Sequence, residues 1–128
     1  MEGLSNDNNK ISWKSGTTIY KFNDQSDFAY FLIDGEIEII SENGNTVGYI
    51  NQKEVFGEQS ILLDTNRSVT AKASKDSVAL KIPKDSLLKE FKDCSTLIKA
   101  ILRSTCIRLT NLDNTIKTNL NSDNKNQL

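Results

Sequence analysis

The amino-acid sequence predicts a mostly β fold with flanking helices, in which a β-roll or double-stranded jelly roll is followed by C-terminal helices. Three observations predict this class. Short apolar or alternating segments recur between Ile11 and Ile82, with turn-forming residues at short intervals. After Pro83 the hydrophobic residues recur with the period of a helix instead of that of a strand. The length of 128 residues fits one domain with a single core.

The strands are predicted from their hydrophobic patterns. Ala29–Ile33 is a nearly continuous apolar run, which predicts a strand buried on both faces. Gly35–Ile39 alternates with period two, so its isoleucines should point inward and its glutamates outward. Asn43-Gly44 predicts a type I′ hairpin turn. The strands predicted after this turn are Val47–Ile50, Ser68–Ala73 and Val78–Ile82.

Two helices are predicted after Pro83, a residue type that the first turn of a helix tolerates. Leu87, Leu88 and Phe91 fit one face of the first helix. The second helix is predicted to begin near Ser95, whose hydroxyl suits an N-cap.

Apolar residues along the second helix recur every seven positions, as in the a/d seam of a coiled coil. The two series are Leu102, Leu109 and Ile116, and Ile98, Thr105 and Leu112. They cover only about three heptads, which is close to the minimum for a coiled coil. Two interpretations stay open: an amphipathic helix that lies on its own domain, and a homodimer that forms through this helix.

Composition divides the chain into three parts. Residues 1–10 are polar and are predicted to be a flexible N-terminus. Residues 11–118 are predicted to be the folded domain, with the β-roll at about 11–82 and the C-terminal helices at about 84–118. Residues 119–128 are polar and are predicted to be a disordered tail.

Charge and hydrophobicity exclude several classes of partner. The formal net charge is -1, so no overall field attracts the chain to nucleic acid or to an anionic membrane. The sequence contains neither a long apolar run nor a signal peptide, so we expect no membrane segment and a cytoplasmic protein.

The residue types also argue against catalysis. The chain has no histidine, which removes the usual general base and the commonest metal ligand. Cys94 and Cys106 are interpreted as small apolar side chains on a helix, because their spacing suits neither a redox pair nor a zinc site. We therefore predict no metal, no cofactor and no enzymatic activity.

The segment FGEQSILLDTNRS, residues 56–68, gathers the residues of a candidate anion site. Gly57 lets the backbone approach a ligand closely, because it has no Cβ. Gln59 and Ser60 begin a short helical turn whose unpaired amides can bind an anion. Arg67 can direct its guanidinium at the same anion.

Glu58 indicates the second half of the ligand. A carboxylate beside a bound anion is repulsive unless it meets a hydrogen-bond donor, and a ribose hydroxyl is such a donor. With the Ser68 hydroxyl as a further donor, the cluster describes an anionic phosphate beside a sugar hydroxyl. The alternative is that an Arg67–Glu58 salt bridge clamps the turn.

The same segment resembles the phosphate-binding cassette of the cyclic nucleotide-binding domain family, which catabolite activator-type regulators, cyclic nucleotide-dependent kinases and gated channels share. FGEQSILLDTNRSVTAKA is similar to this cassette in residue order and in the Glu-to-Arg spacing. Gly16–Tyr20 resembles the family's glycine turn, Ala29–Ile39 its strand, glycine and strand, and Ile82–Lys84 its entry into the helices. The resemblance covers about residues 13–110.

The resemblance implies a role for each cassette residue. Glu58 would accept a hydrogen bond from the ribose 2′-hydroxyl, and Arg67 would pair with the cyclic phosphate. The other implied ligand-binding residues are Phe56 in the apolar wall, Gly57 at the close approach, the amides near Gln59 and Ser60, and the Ser68 hydroxyl.

The chain departs from the family outside the cassette. The family often has glycine at the positions of Asn23, Ser26 and Lys53. Asparagine tolerates a positive φ best among the other residues, so Asn23 can keep its turn. We expect the other two departures to alter loop shapes more than ligand binding. The chain before Gly16 is also short, so we expect the family's N-terminal helical element to be largely missing or reduced.

The resemblance implies a regulatory sensor that binds a cyclic nucleotide in the β-roll and folds its long helix over the base as a lid. Arg108, or else Arg103, would contact the base. We favour cAMP over cGMP in a bacterial-looking chain rich in Asn and Lys, because Ser68 is compatible with either ligand. The alternative function is a ligand-free β-roll interaction or dimerisation module.

The output of such a sensor is not evident in the sequence. No helix-turn-helix follows the long helix, so we expect no direct binding to nucleic acid, and no kinase or channel segment is present. We therefore expect an output protein that the sequence does not identify. The initiator Met and the polar tail favour a stand-alone sensor over a fragment of a larger regulator.

Overall fold

The computed structural model describes residues 9–109. The chain divides into two units between Lys92 and Asp93, and each unit is described by itself. The predicted flexible N-terminus falls mostly, and the predicted tail entirely, outside the described residues, as do Leu112 and Ile116 of the predicted seam.

Within its described residues, the first unit contains two four-stranded antiparallel sheets. In chain order its strands are β1 (Lys10–Trp13), β2 (Thr18–Tyr20), β3 (Phe28–Asp34), β4 (Ile37–Ile40), β5 (Thr46–Ile50), β6 (Val55–Phe56), β7 (Thr70–Ala73) and β8 (Ser77–Pro83). One sheet has the order β1-β8-β3-β6 and the other the order β2-β7-β4-β5. Helix α1 (Gln59–Leu62) connects β6 to β7, and α2 (Lys84–Asp93) follows β8. The prediction of a β-roll followed by helices is confirmed.

Strand β3 is buried on both faces, as its continuous apolar sequence predicts. Tyr30 and Leu32 face the main core between the two sheets. Ala29, on the other face, packs with Ile61 of α1 and Ile82 of β8 in a second cluster, which Leu87 and Leu88 of α2 also join. The predicted apolar face of the first helix therefore covers one side of the β-roll.

The predicted hairpin between β4 and β5 forms, but the predicted type I′ turn is wrong. The Gly44 amide donates to the Ser41 carbonyl at 2.9 Å, and the Ser41 amide donates to the Asn45 carbonyl at 2.8 Å. Gly44 has a φ of 86°, whereas Asn43 is not among the residues with positive φ. A type I′ turn needs both, so this longer connection places only the glycine in the left-handed region.

Strand β7 begins at Thr70 and not at the predicted Ser68, so Arg67 and Ser68 both lie in the connection before it. The reason is that the Arg67 backbone pairs elsewhere. Its amide donates to the Asp24 carbonyl at 2.8 Å, and its carbonyl accepts from the Asn23 amide at 2.7 Å. The turn at Asn23 therefore fixes the backbone of Arg67.

Two of the three departures from the glycine pattern keep a glycine-like backbone. Asn23 has a φ of 74° and Lys53 a φ of 71°, while Ser26 is not among the residues with positive φ. Lys53 stays in this conformation because its amide donates to the Leu32 carbonyl at 2.8 Å. The loop shapes are thus retained at Asn23 and Lys53, with backbone strain at the lysine.

Replacement of Lys53 by glycine should therefore stabilise the protein. A left-handed conformation costs a non-glycine residue roughly 1–2 kcal/mol, and glycine removes this cost. Glycine also makes the unfolded chain more flexible, which destabilises the folded protein by roughly 0.4–1 kcal/mol. We expect Lys53→Gly to raise the free energy of unfolding by about 0.5–1 kcal/mol. The side chain is exposed, so little packing is lost. Urea denaturation measures the change.

Asn23→Gly is the matched control, because asparagine already tolerates this backbone conformation. The Asn23 side chain accepts one long hydrogen bond, from the Asn66 Nδ2 at 3.4 Å, so the substitution should change the free energy of unfolding by about 0.5 kcal/mol or less. Equal effects of the two substitutions would contradict the assignment of strain to Lys53.

In the second unit, residues 96–109 are helical. The Ile98 amide donates to the Ser95 Oγ at 3.2 Å, which confirms the predicted N-cap. The helix exposes large apolar side chains, namely Leu97, Ile98, Ile101, Leu102, Ile107 and Leu109. Between residues 9 and 109 no helix is long and apolar enough to cross a membrane.

Candidate functional site

A cavity of about 160 Å³ lies where β6, α1 and the connection before β7 meet. All the predicted site residues between Phe56 and Ser68 line it: Phe56, Gly57, Glu58, Gln59, Ser60, Arg67 and Ser68. The remaining lining residues are Tyr20, Ile39, Ile50, Val55 and Val69. The fold therefore brings the seven residues of the predicted cassette to one place.

Arg67 is the central side chain of this site. It is only 4% exposed. Its Nη1 donates to the Gly57 carbonyl at 2.6 Å and to the Ser60 Oγ at 3.0 Å, and its Nη2 donates to the Phe28 carbonyl. Its Cζ lies 4.0 Å from the centroid of the Tyr20 ring, a cation–π distance. Every one of these partners is neutral, because the Tyr20 phenol keeps its proton.

The predicted alternative of an Arg67–Glu58 salt bridge is wrong. Arg67 and Glu58 form no ion pair with each other, unlike Lys75 with Glu36 and Lys84 with Asp64. The Arg67 guanidinium is thus a buried cation without a carboxylate partner. Buried charges normally require an opposite charge, so the site is suited to an anion.

The guanidinium also keeps two free donors. Of its five N–H groups, two on Nη1 and one on Nη2 serve the bonds already described. The Nε is the one buried side-chain nitrogen or oxygen within residues 9–109 that has no hydrogen-bond partner. Nε and Nη2 share one edge of the guanidinium, and this edge can receive two oxygens of one anion.

Gly57 lies against the Arg67 guanidinium, which leaves no room for a side chain at this position. Its φ is 80°, and an added Cβ would lie 2.9 Å from the Arg67 Nη1 and 3.4 Å from the Phe28 carbonyl oxygen. The sequence predicts a close backbone approach at this glycine, and the structure shows that the group approaching it within the chain is the guanidinium.

Glu58 is half-buried and directly precedes α1 without capping it. Burial raises the pKa of its carboxyl, while a hydrogen bond from its own backbone and the Arg67 charge act in the opposite direction. Burial likewise raises the pKa of the Tyr20 phenol to about 12, against the lowering effect of Arg67. Tyr20 is therefore a neutral aromatic ring beside the guanidinium.

The Ser60 side chain does not serve the predicted phosphate cradle. Its hydroxyl is buried, bonds Arg67 and lies 2.7 Å from the Ser26 Oγ, so only its backbone remains for the predicted role. Gln59 is half-buried, whereas Ser68 is exposed. Phe56 is buried and stacks on Tyr30 with ring centroids 5.1 Å apart, which fits its predicted place in the wall.

Arg108, the predicted base contact, is exposed on the helix 96–109 and belongs to the second unit. Its role stays a prediction. Sequence reasoning missed Tyr20 and Ser26 as parts of the site. The only available signals were an aromatic residue at the end of the predicted glycine turn and a serine at a position where the resembled family often has glycine.

A sequence model of the cyclic nucleotide-binding domain family matches residues 10–94. The match spans more than half of the chain and contains all seven cassette residues. The chain therefore belongs to the cyclic nucleotide-binding domain family. A comparison with curated protein sequences gives no match.

Solved structures share the fold. The EAL enzyme Bd1971 in its cAMP-bound form has a TM-score of 0.73 at 21% identity, and the match covers 84% of this chain and 30% of that chain. Its cGMP-bound form has a TM-score of 0.76 at 18% identity, with coverages of 91% and 32%. This chain thus spans about a third of the length of that enzyme.

Two further structures match a larger share of their own chains. The sensor domain of the transcriptional regulator DNR from Pseudomonas aeruginosa has a TM-score of 0.67 at 22% identity, with 78% of this chain and 73% of that chain covered. PKAR CBD2 bound to Sp-2Cl-cAMPS has a TM-score of 0.69 at 23% identity, with coverages of 84% and 70%. At these identities the likeness shows the fold.

Proposed function

We propose that this chain binds a cyclic nucleotide, with cAMP favoured over cGMP, in the cavity beside Arg67 and acts as a regulatory sensor. One observation carries the proposal. The Arg67 guanidinium is buried, lacks a carboxylate partner and retains two donors on adjacent nitrogens. A singly charged phosphodiester supplies one negative charge and two oxygens, which is what this guanidinium lacks.

The other cavity residues suit the rest of the ligand. Glu58 lies on the same cavity and, when ionised, accepts hydrogen bonds only, so it serves the ribose 2′-hydroxyl. The backbone amides near Gln59 and Ser60 and the exposed Ser68 hydroxyl add donors for the phosphate. Among solved structures, the cAMP-bound and cGMP-bound forms of Bd1971 have this fold.

The preference for cAMP rests on the remaining walls of the cavity. The side chains of Ile39, Ile50, Val55 and Val69 are aliphatic and offer no acceptor to the 2-amino group of guanine, which adenine lacks. Ser68 is the one cassette hydroxyl left for such a bond, because the hydroxyl of Ser60 is already engaged. A single exposed hydroxyl is a weak basis for selecting guanine, so adenine is favoured.

The C-terminal helix is proposed as the lid over the base and as a dimer interface. Its exposed side chains Leu97, Ile101 and Leu102 need a covering surface, and the base or a second copy would supply it. Arg108 is the proposed base contact. Amide hydrogen exchange tests the lid, since saturating ligand should slow exchange across 95–109, and unchanged exchange would contradict it.

Calorimetric titration of the ligand-free chain with cAMP, cGMP and 5′-AMP tests the binding proposal. We expect cAMP to bind with a Kd of about 1 µM or tighter, cGMP to bind more weakly, and 5′-AMP to bind least because its phosphate is neither cyclic nor singly charged. No binding of either cyclic nucleotide by the folded protein would leave the alternative, a ligand-free β-roll interaction module.

The affinity for cAMP should fall as the pH is lowered. Only the ionised Glu58 is a pure acceptor, and burial raises its pKa above the ordinary value. As the pH is lowered through this raised pKa, a proton competes with the ribose hydroxyl and the Kd rises. Titrations between about pH 8 and about pH 5 measure this change.

Glu58→Gln is the matched control for this pH dependence. The amide keeps the shape of the side chain but does not titrate, so the variant should bind more weakly and with a Kd that varies less over the same range. An equal pH dependence in the two proteins would exclude Glu58 as its source.

A further inference from the structure

We propose that Ser60 and Ser26 are positioning residues that hold the Arg67 guanidinium ready for an anion before any ligand arrives. The inference rests on the proposed function, because it states how the nucleotide site reaches its affinity. It concerns two hydroxyls that the predicted phosphate cradle does not use.

The hydrogen bonds of the Ser26 and Ser60 hydroxyls have a defined direction. The Ser26 Oγ lies 3.0 Å from the Thr65 carbonyl oxygen and 2.7 Å from the Ser60 Oγ. A carbonyl can only accept, and a hydroxyl has one hydrogen, so Ser26 donates to Thr65. The Ser60 hydroxyl must then donate to Ser26, which leaves its lone pairs for Arg67.

These hydrogen bonds orient the Arg67 side chain. Nη1 donates to the Ser60 Oγ at 3.0 Å, so every hydrogen in the series points the same way, from Arg67 through Ser60 and Ser26 to Thr65. Ser26 and Ser60 are 7% and 6% exposed, so water does not readily replace either hydroxyl. The series therefore fixes the orientation of Nη1.

The same hydrogen bonds also fix the position of the Arg67 Nε. The guanidinium is planar, so fixing Nη1 at Ser60 and Gly57 and Nη2 at Phe28 also fixes Nε. The Nε–H, which has no protein partner, is thereby held in place for a ligand. Such preorganisation reduces the ordering cost of binding.

Ser60→Ala should raise the Kd for cAMP about tenfold, because it removes one charge-assisted hydrogen bond that orients Arg67. Ser26→Ala should raise it about threefold by itself and no further when combined with Ser60→Ala, since it acts only through Ser60. Ser77→Ala is the matched control. It removes a hydroxyl that is 2% exposed and donates to the Lys75 carbonyl away from the cavity, so it should leave the Kd unchanged.

A second readout needs no ligand. The chain has three arginines, so the ¹H–¹⁵N signals of their side chains can be assigned with Arg67→Lys. In the ligand-free protein, rotation of the Arg67 guanidinium about its Nε–Cζ bond should be slow, with separate signals for the two Nη groups. It should be faster in Ser60→Ala and unchanged in Ser77→Ala.

The two readouts separate the claims. If the wild-type protein binds no cyclic nucleotide, the proposed function fails, while the rotation rates still test the positioning. If Ser60→Ala leaves the rotation and the Kd as in the wild-type protein, the positioning role is wrong. Additive effects of Ser26→Ala and Ser60→Ala would likewise contradict the series of hydrogen bonds.

Discussion

Replacement of Arg67 by alanine should raise the Kd for cAMP by at least about 30-fold and by up to several thousand-fold. The substitution removes the only buried cation of the cavity and both free donors that the phosphate would meet. Loss of one partner of a buried, hydrogen-bonded charge pair costs roughly 2–5 kcal/mol, and every 1.4 kcal/mol is about tenfold in affinity. Calorimetric titration measures the change.

Two controls accompany this experiment. Lys14→Ala removes a positive charge from an exposed position and should leave the Kd unchanged. Arg67→Lys keeps the charge but not the planar set of donors, so it should fall between the wild-type protein and Arg67→Ala. Circular dichroism must show that each variant is folded. A folded Arg67→Ala protein with wild-type affinity would exclude Arg67 as the phosphate ligand.

Gly35→Ala should destabilise the fold by roughly 3 kcal/mol or more. Gly35 connects β3 to β4 with a φ of 107°, and an added Cβ would lie 2.2 Å from the Ser77 Oγ and 2.7 Å from the Asp76 carbonyl oxygen. The backbone strain and the clash with a neighbouring strand therefore add. Urea denaturation should show a lower midpoint, with much of the protein unfolded at temperatures that the wild-type protein tolerates.

Gly44→Ala separates the two causes. Gly44 has a φ of 86°, but an added Cβ would have no atom within 4 Å. This variant should be destabilised only by the strain of alanine in the left-handed conformation, roughly 1–2 kcal/mol. If Gly35→Ala cost no more than Gly44→Ala, the close approach of Ser77 to Gly35 would not limit this position.

Much of the fold could be predicted because its signals are local. The continuous apolar run at Ala29–Ile33 predicts by itself a strand that is buried on both faces, and in the structure a hydrophobic cluster packs against each face. The Ser95 N-cap lies three residues from the amide that it caps. The predicted turn type at Asn43-Gly44 was wrong because the type I′ pattern describes a two-residue connection and the connection in the structure is longer.

The partners of Arg67 could not be predicted, because they are set by tertiary contacts. Phe28, which accepts from Arg67, lies 39 positions before it in the sequence, and Ser26, which bonds Ser60, lies 41 positions before Arg67. Nothing in the local pattern of either residue indicates these contacts. The cassette spacing does predict which residues share a cavity. It does not predict that Gly57 makes room for the guanidinium, or that Ser60 faces Ser26.

The most direct test of the account is to follow the ¹H–¹⁵N signal of the Arg67 Nε during titration with cAMP. This N–H is buried and has no acceptor in the protein, and we propose that it donates to the cyclic phosphate. We predict that the signal shifts to saturation with cAMP, that its exchange with water slows, and that 5′-AMP at the same concentration changes it little. An unchanged Arg67 Nε signal at saturating cAMP would contradict the central claim that this guanidinium binds the phosphate.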